Sequence, residues 1–148
     1  MKFLFKRTQK PNRFFKILPQ DWQDIIGPQW NNYRDSSSIY IIECNGQVIA
    51  GGIIFSKTPP NATPLEITYN HLFDKGYLYL GFIFVIPKYR GKQIASGWLG
   101  ALKNKYKNQP FWLTIEDFGL KSFYKKNGFK LINEDSNFIG EEWVMVSE

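Results

Sequence analysis

The chain has 148 residues, a formal net charge of +6 and an aromatic content of 18%. This length suits one domain with a sizeable core, so we expect residues 1–148 to form a single domain whose core is rich in aromatic rings. The single cysteine, Cys44, excludes an internal disulfide framework and favours a reducing, cytoplasmic location. With one histidine as well, we expect no metal site, and no apolar run is long enough to cross a membrane.

The excess positive charge lies near the N-terminus. We expect residues 1–12 to be a loosely ordered basic start beside a solvated first strand. A nucleic-acid-binding arm and a transit peptide are the alternatives that a basic start also allows. The basic residues that precede the first acidic residue, Asp21, are Lys2, Lys6, Arg7, Lys10, Arg13 and Lys16.

Hydrophobic periodicity and turn residues predict the elements of the first half of the chain. Gly27-Pro28 is expected to end the first helix, and Asn45-Gly46 is a strong two-residue hairpin signal. Gly51-Gly52 is expected to loosen the strand that contains it. The predicted elements are a strand at 13–18, a helix at 19–26, and strands at 39–43 and 47–55.

The second half begins with a helix signal. Thr63-Pro64-Leu65-Glu66 has the pattern of a capping box with proline at the first helical position. The near-continuous apolar run at 77–86 is typical of a central strand buried on both faces. Asp117 is a good N-cap, and Asn127-Gly128 is a helix stop. The predicted elements are a helix at 64–74, a strand at 77–86, a helix from 94, a strand at 111–115, a short helix around 120–124, and strands at 129–132 and 143–146.

This alternation of strands and helices predicts a fold class. Mixed strands with intervening helices favour an α/β three-layer sandwich, in which a twisted mixed sheet of about seven strands carries helices on both faces.

The segment 82–102, FIFVIPKYRGKQIASGWLGAL, is the most informative part of the sequence. An apolar strand meets a proline, a short basic turn with glycine follows, and a helical stripe then begins. Such a turn presents free backbone N–H groups at the positive end of a helix dipole, where phosphate binds readily. Arg90 and Lys92 add formal positive charge there, so the segment predicts a ligand that carries phosphates.

The same segment resembles a family signature. The GNAT family of acyl-CoA-dependent N-acetyltransferases has the pattern Q/R-x-x-G-x-G/A at a strand-to-helix turn. Arg90 matches its first position and Ala95 its last, while Gln93 stands where the family has glycine. Downstream, the segment 123–129, FYKKNGF, is similar to the family element F-Y-x-x-x-G-F. The resemblance extends over about residues 39–146.

The resemblance implies a coenzyme site and an acyl donor, with acetyl-CoA as the default and no metal. The sheet would splay in a V where strand 77–86 meets strand 111–115, and acyl-CoA would enter that cleft. Backbone groups of the central strand would contact the pantetheine arm, and the Val85 N–H would polarise the thioester carbonyl. The residues implied in coenzyme binding are Phe84, Val85, Ile86, Arg90, Gly91, Lys92, Gln93, Ile94, Ala95 and Tyr124.

The resemblance also implies catalytic roles. Tyr124 would be the general acid that protonates the departing thiolate, although a tyrosine that only packs against the sheet is the alternative. No acidic residue lies on the central strand, so Glu116 is the first choice for the general base. His71 and a chain of water molecules are the other candidates. Asp117 is a weak candidate, since an N-cap role explains it.

The helix at 64–74 is an insertion relative to the family pattern. If the resemblance holds, it lies at the acceptor end of the cleft, and we expect Tyr69 and His71 to help bind the amine. The predicted function is transfer of an acetyl group to a small-molecule or peptide amine by a monomer or homodimer. We expect no nucleic-acid or membrane partner. A non-catalytic acyl-CoA-binding domain and, less favoured, a basic nucleic-acid-binding module are the alternatives.

Overall fold

The computed structural model describes residues 2–133 and 142–147. Their strands form one seven-stranded sheet in the order β1-β2-β3-β4-β5-β7-β6, in which only β4 and β5 are parallel. The strands are β1 (Phe3–Thr8), β2 (Ser37–Cys44), β3 (Gln47–Phe55), β4 (Leu78–Val85), β5 (Phe111–Ile115), β6 (Phe129–Leu131) and β7 (Trp143–Ser147). The α-helices are α1 (Pro11–Phe15), α2 (Gln20–Gln29), α3 (Pro64–Thr68), α4 (His71–Asp74), α5 (Ile94–Lys105) and α6 (Leu120–Lys126).

Helices cover both faces of this sheet, which confirms the predicted three-layer α/β fold. On one face, Trp98 and Leu102 of α5 and Tyr124 of α6 belong to one core cluster. On the other face, Phe14 of α1 and Ile26 of α2 belong to a second cluster. Large rings fill both cores as the composition predicts, because Trp98, Trp112 and Phe55 are all fully buried.

Two glycines of β3 decide how closely the layers approach. A Cβ atom at Gly51 would lie 2.7 Å from the Phe14 ring, and one at Gly52 would lie 2.7 Å from the Trp98 ring. The Trp98 indole is held there by a 3.0 Å hydrogen bond from its Nε1 to the Tyr40 carbonyl. The pairing with β2 continues through both glycines, whereas the register with β4 shifts beside them, between Gly51 and Ile53. The missing side chains of the two glycines leave room for aromatic rings on opposite faces.

The start of the chain differs from the prediction. Residues 3–8, expected within a loosely ordered start, form the edge strand β1, and residues 13–18, expected as the first strand, begin inside α1. Phe5 stacks on Tyr40 with ring centroids 5.3 Å apart. Lys6 and Arg13 both ion-pair with Glu43, at 3.2 and 2.5 Å. The strand forms because β2 supplies both a stacking ring and a carboxylate, which are distant in sequence.

Several element boundaries also shift. Helix α2 continues through Gly27-Pro28 and ends one residue later, since a proline near the end of a helix removes only one hydrogen bond. The helix predicted at 64–74 is two short helices, α3 and α4, although the capping box at its start is confirmed. Helix α6 begins at Leu120, because Asp117 caps a preceding turn by accepting the Gly119 N–H at 2.8 Å. No helix in residues 2–133 or 142–147 is long and apolar enough to span a membrane.

Candidate active site

The sheet opens between β4 and β5. These parallel strands pair only at Leu78 with Phe111 and at Tyr79 with Trp112. Beyond those pairs the strands diverge, so the rest of β4 has no ladder partner on that side among the described residues. The divergence is the V-shaped cleft that the family resemblance implies.

The open edge of β4 presents a backbone N–H group at Val85. The Ile86 N–H donates to the Ile49 carbonyl at 2.9 Å, and Val85 is the next residue on the ladder, opposite Ala50. Since hydrogen-bonded and non-hydrogen-bonded pairs alternate in an antiparallel ladder, the N–H and C=O groups of Val85 face away from β3. Those of Phe84 and Ile86 face β3. Of the three strand residues implied in coenzyme contacts, Val85 alone turns its N–H toward the cleft.

A bulge in β4 lies earlier in the strand, at Phe82. The register between β3 and β4 shifts between Gly51 and Ile53, and Phe82 has a φ of 54°. Such a φ is unusual for an aromatic residue, and a bulge re-aims the side chains around it. The Phe82 ring meets Trp22 of α2 edge to face, with centroids 5.9 Å apart. The bulge therefore brings an aromatic ring of the sheet against α2 at the cleft.

The turn before α5 has the backbone of an anion site. Gly91 and Gln93 have φ values of 78° and 60°, and α5 begins at Ile94 with no side chain capping its first N–H groups. A Cβ atom at Gly91 would meet nothing within 4 Å, so the space in front of the turn is open. Uncapped N–H groups, an open approach and the positive end of a helix dipole together fit a pyrophosphate.

The two basic side chains of this turn, Arg90 and Lys92, differ in their contacts. The Arg90 Nε donates to the Val85 carbonyl at 3.0 Å, and its guanidinium lies 5.2 Å from the centroid of the Phe84 ring. Arg90 therefore ties the turn to the end of β4. Lys92 is exposed at the tip of the turn and adds positive charge there.

A cavity of about 410 Å³ occupies the cleft and reaches both faces of the sheet. Tyr124 lines it from the α6 side, Trp22 lines it from the α2 side, and Glu116 lines it at the end of β5. Burial raises the pKa of Tyr124 to about 12, so its phenol is protonated at neutral pH. The structure thus brings the two predicted catalytic residues into one cavity.

The floor of this cavity holds a hydrogen-bonded glutamate. Glu66 is 7% exposed, and its Oε1 accepts the Thr63 N–H at 2.9 Å. Its Oε2 accepts the Thr114 hydroxyl at 2.8 Å and a short hydrogen bond from the Tyr79 hydroxyl. Burial and the nearby Glu66 charge raise the pKa of Tyr79 well above its usual value, so this phenol remains a donor.

A second glutamate, Glu142, lies next to Glu66. The Thr63 hydroxyl donates to its Oε1 at 2.7 Å, so Thr63 bridges the two carboxylates. Burial raises the pKa of Glu142, and the charges of Glu66 and Glu116 raise it further. Sequence reasoning missed both residues as site residues. Glu66 looked like a helix cap, and Glu142 reaches the cavity only through the tertiary fold.

The residues predicted to bind the acceptor lie elsewhere. Tyr69 and His71 do not line the described cavity, whereas Thr63 and Glu66 from the same inserted segment do. His71 is exposed, and its Nδ1 lies 3.2 Å from the Thr68 carbonyl. Asp117 lines the cavity as an exposed residue at the end of β5. Among the described residues, no group of His, Cys, Asp and Glu side chains could hold a metal ion.

Structure comparison finds many proteins of the same fold. PH1933 from Pyrococcus horikoshii OT3 has a TM-score of 0.68 and 14% identity, over 99% of this chain and 98% of that one. PaiA N-acetyltransferase from Thermoplasma acidophilum, in complex with coenzyme A, has a TM-score of 0.62 and 14% identity, over 100% and 99% of the two chains. A GNAT family acetyltransferase from Elizabethkingia anophelis with acetyl-CoA bound has a TM-score of 0.64 and 14% identity, over 99% and 97%.

Two sequence comparisons bear on the family to which this chain belongs. No significantly similar sequence is found among curated proteins. The sequence model of the Acetyltransferase (GNAT) family matches residues 6–129, which begins well before the segment that carries the motifs. This match spans most of the chain and includes the cleft, the turn before α5 and Tyr124. The chain therefore belongs to the GNAT family of acetyltransferases.

Proposed function

We propose that this protein transfers an acetyl group from acetyl-CoA directly to a primary amine. The observation that carries the proposal is the cavity at the β4–β5 opening, which holds Tyr124 and Glu116 beside the free edge of β4. The fold similarity to proteins bound to coenzyme A and to acetyl-CoA supports acyl-CoA as the donor.

The donor would bind between the turn and the open edge of β4. The first N–H groups of α5 and the backbone of residues 90–95 would hold the pyrophosphate, and Gly91 would let it approach closely. The Val85 N–H would donate to the thioester carbonyl as negative charge develops on its oxygen. When bound, acetyl-CoA supplies a thioester: the C–N bond to the amine forms and the C–S bond breaks.

Tyr124 would act as the general acid. Its hydroxyl is protonated at neutral pH, since its pKa of about 12 lies far above 7, and it borders the cavity where the thiolate would leave. The phenol would therefore donate its proton to the departing sulfur.

Glu116 would act as the general base. Its carboxylate lines the same cavity as Tyr124 and is exposed. The amine would lose its proton to Glu116. Because Glu116 is exposed, it can then release that proton to solvent. A chain of water molecules is the alternative route, and it predicts that Glu116→Gln changes the rate little.

The decisive test is Tyr124→Phe, which keeps the ring and removes the proton donor. We expect the transfer rate to fall by a factor of about 10² to 10⁴, the usual range for one acid–base group, while coenzyme affinity changes little. The measurement is thiol release from acetyl-CoA across a panel of primary amines, with calorimetry of coenzyme A binding. Tyr77→Phe makes the same change outside the cavity and should retain the wild-type rate.

Two results would contradict the proposal. An unchanged rate in Tyr124→Phe would show that solvent protonates the thiolate and that Tyr124 only packs. Coenzyme binding without turnover of any amine would instead identify a non-catalytic acyl-CoA-binding domain.

A further inference from the structure

The cavity is acidic although the chain is basic. Four acidic residues line it, namely Glu66, Glu116, Asp117 and Glu142, and no Lys, Arg or His among the described residues does. The chain as a whole carries a net charge of +6. The sign of the charge in the cavity is therefore opposite to that of the molecule.

No basic side chain of the described residues neutralises this charge. The described groups that hydrogen-bond the Glu66 carboxylate are neutral: one backbone N–H and the hydroxyls of Thr114 and Tyr79. Within residues 2–133 and 142–147, the ion pairs are made by Glu43 and by none of the four acidic residues of the cavity. Buried carboxylates are normally paired with a cation, because desolvation of an isolated charge is costly. A cationic ligand would supply the missing charge.

Glu142 is the carboxylate best placed to receive such a ligand. Glu66 has each of its oxygens hydrogen-bonded, whereas Glu142 is half-buried and accepts a single described hydrogen bond, from Thr63. Burial and the Glu66 charge raise the pKa of Glu142 and so disfavour its ionised form. A cation at Glu142 would relieve the repulsion between the two carboxylates.

The rest of the cavity suits the remainder of such a ligand. Trp22 and Phe82 line it on the α2 side, next to the acidic floor. Aromatic faces pack against methylene chains and also attract ammonium groups. A volume of about 410 Å³ lies in the range of small-molecule sites and suits a short linear ligand.

We infer that the acceptor carries a second positive charge, as a linear aliphatic diamine or polyamine does, and that Glu142, supported by Glu66, binds the ammonium group that is not acetylated. This inference rests on the proposed acetyl transfer. Glu142 binds one end of the acceptor, and the aromatic side of the cavity covers its methylene chain. The other amine then reaches toward Tyr124 and Glu116.

The test compares putrescine with n-butylamine, which has the same carbon chain and one amine fewer. With acetyl-CoA as donor, we expect kcat/KM to be about 10- to 100-fold higher for putrescine, as one charge-assisted contact provides. Glu142→Gln should lower the ratio of the kcat/KM for putrescine to that for n-butylamine about 10-fold or more, because the charge that binds the second ammonium group is lost. Glu142→Asp keeps the charge and should retain part of the preference. The control Asp74→Asn removes one exposed negative charge outside the cavity and should keep the full preference.

Equal kcat/KM values for the two amines would overturn the inference and leave the proposed acetyl transfer intact. An equal loss for both amines in Glu142→Gln would overturn it as well. If no amine is acetylated, the proposed function fails, and calorimetry of putrescine binding to the coenzyme A complex tests the inference on its own. Binding that Glu142→Gln weakens would support it, and absence of binding would overturn it.

Discussion

Glu66 performs two tasks at once. Its backbone N–H and one carboxylate oxygen complete the capping box with Thr63, which starts α3. Its other oxygen accepts hydrogen bonds from Thr114 and Tyr79 in the cavity floor. The local motif therefore predicts where the helix begins, but it cannot indicate where the second oxygen points.

The raised pKa of Glu142 leads to a prediction about stability. Because the pKa is higher in the folded state than in the unfolded state, this residue contributes stability that is fully present below the unfolded pKa of about 4.5 and lost as pH rises through the folded pKa. Glu142→Gln, which does not titrate, should therefore melt at a higher temperature than the wild type at pH 7. The difference should vanish below the unfolded pKa. The measurement is the melting temperature of both proteins, in the absence of amine, from below the unfolded pKa up to pH 7.

A lower melting temperature for Glu142→Gln at pH 7 would contradict this prediction. It would mean that a cation or the hydrogen bond from Thr63 stabilises the ionised carboxylate by more than burial and the Glu66 charge destabilise it. The same variant is expected to weaken diamine use, so stability and activity should change in opposite directions.

At the scale of elements, the turn before α5 is where this chain departs from its family. Gln93 occupies the left-handed region with a φ of 60°, at the position where the family signature has glycine. A non-glycine residue pays roughly 1 kcal/mol or more for that conformation. The backbone thus keeps the shape that glycine favours, although the side chain does not.

We expect Gln93→Gly to stabilise the protein by up to about 1 kcal/mol, because it removes this strain. Coenzyme A affinity should be equal or higher, since the turn keeps its shape. Gln93→Val should do the opposite, because a β-branched side chain tolerates a positive φ poorly. Denaturant unfolding and calorimetry measure the two effects. Weaker coenzyme binding in Gln93→Gly would show that the glutamine amide contacts the phosphates.

The elements that sequence predicted best are those with local signals. The hairpin at Asn45-Gly46 is confirmed, with both residues at positive φ, and so is the strand Gln47–Phe55 with its predicted bounds. The first strand was misplaced because β1 depends on pairing with β2 rather than on its own pattern. The inserted segment, for which the apolar spacing predicts one helix, forms two.

At the scale of the whole molecule, charge is divided between two ends of the cleft. The turn at residues 90–95 presents N–H groups and basic side chains, whereas the cavity presents carboxylates. An anionic donor and a cationic acceptor would then each meet the complementary charge, which favours their binding from opposite sides of the sheet.

Coenzyme A binding should therefore depend on salt. Raising ionic strength from about 0.05 M to about 0.5 M should weaken binding severalfold, because screening acts on the phosphates. Pantetheine lacks the nucleotide and its phosphates, so its binding should respond little. Gly91→Val should weaken coenzyme binding more than Lys92→Ala if the backbone, rather than the side-chain charge, holds the pyrophosphate. Calorimetry with both ligands decides between these contributions.

The sequence by itself determined the fold class, the family and the order of the main elements. Periodicity, capping and turn signals are local in the chain, and the turn before α5 and the Tyr124 element are short contiguous motifs. The tertiary structure alone decided which strand edge is free, which N–H group faces the cleft, and which acidic side chains share the cavity. Glu66 and Glu142 are separated by 75 positions along the chain, and only folding places both beside Thr63. Contacts between residues so far apart in sequence depend on how the strands pair and diverge, and no local sequence pattern predicts them.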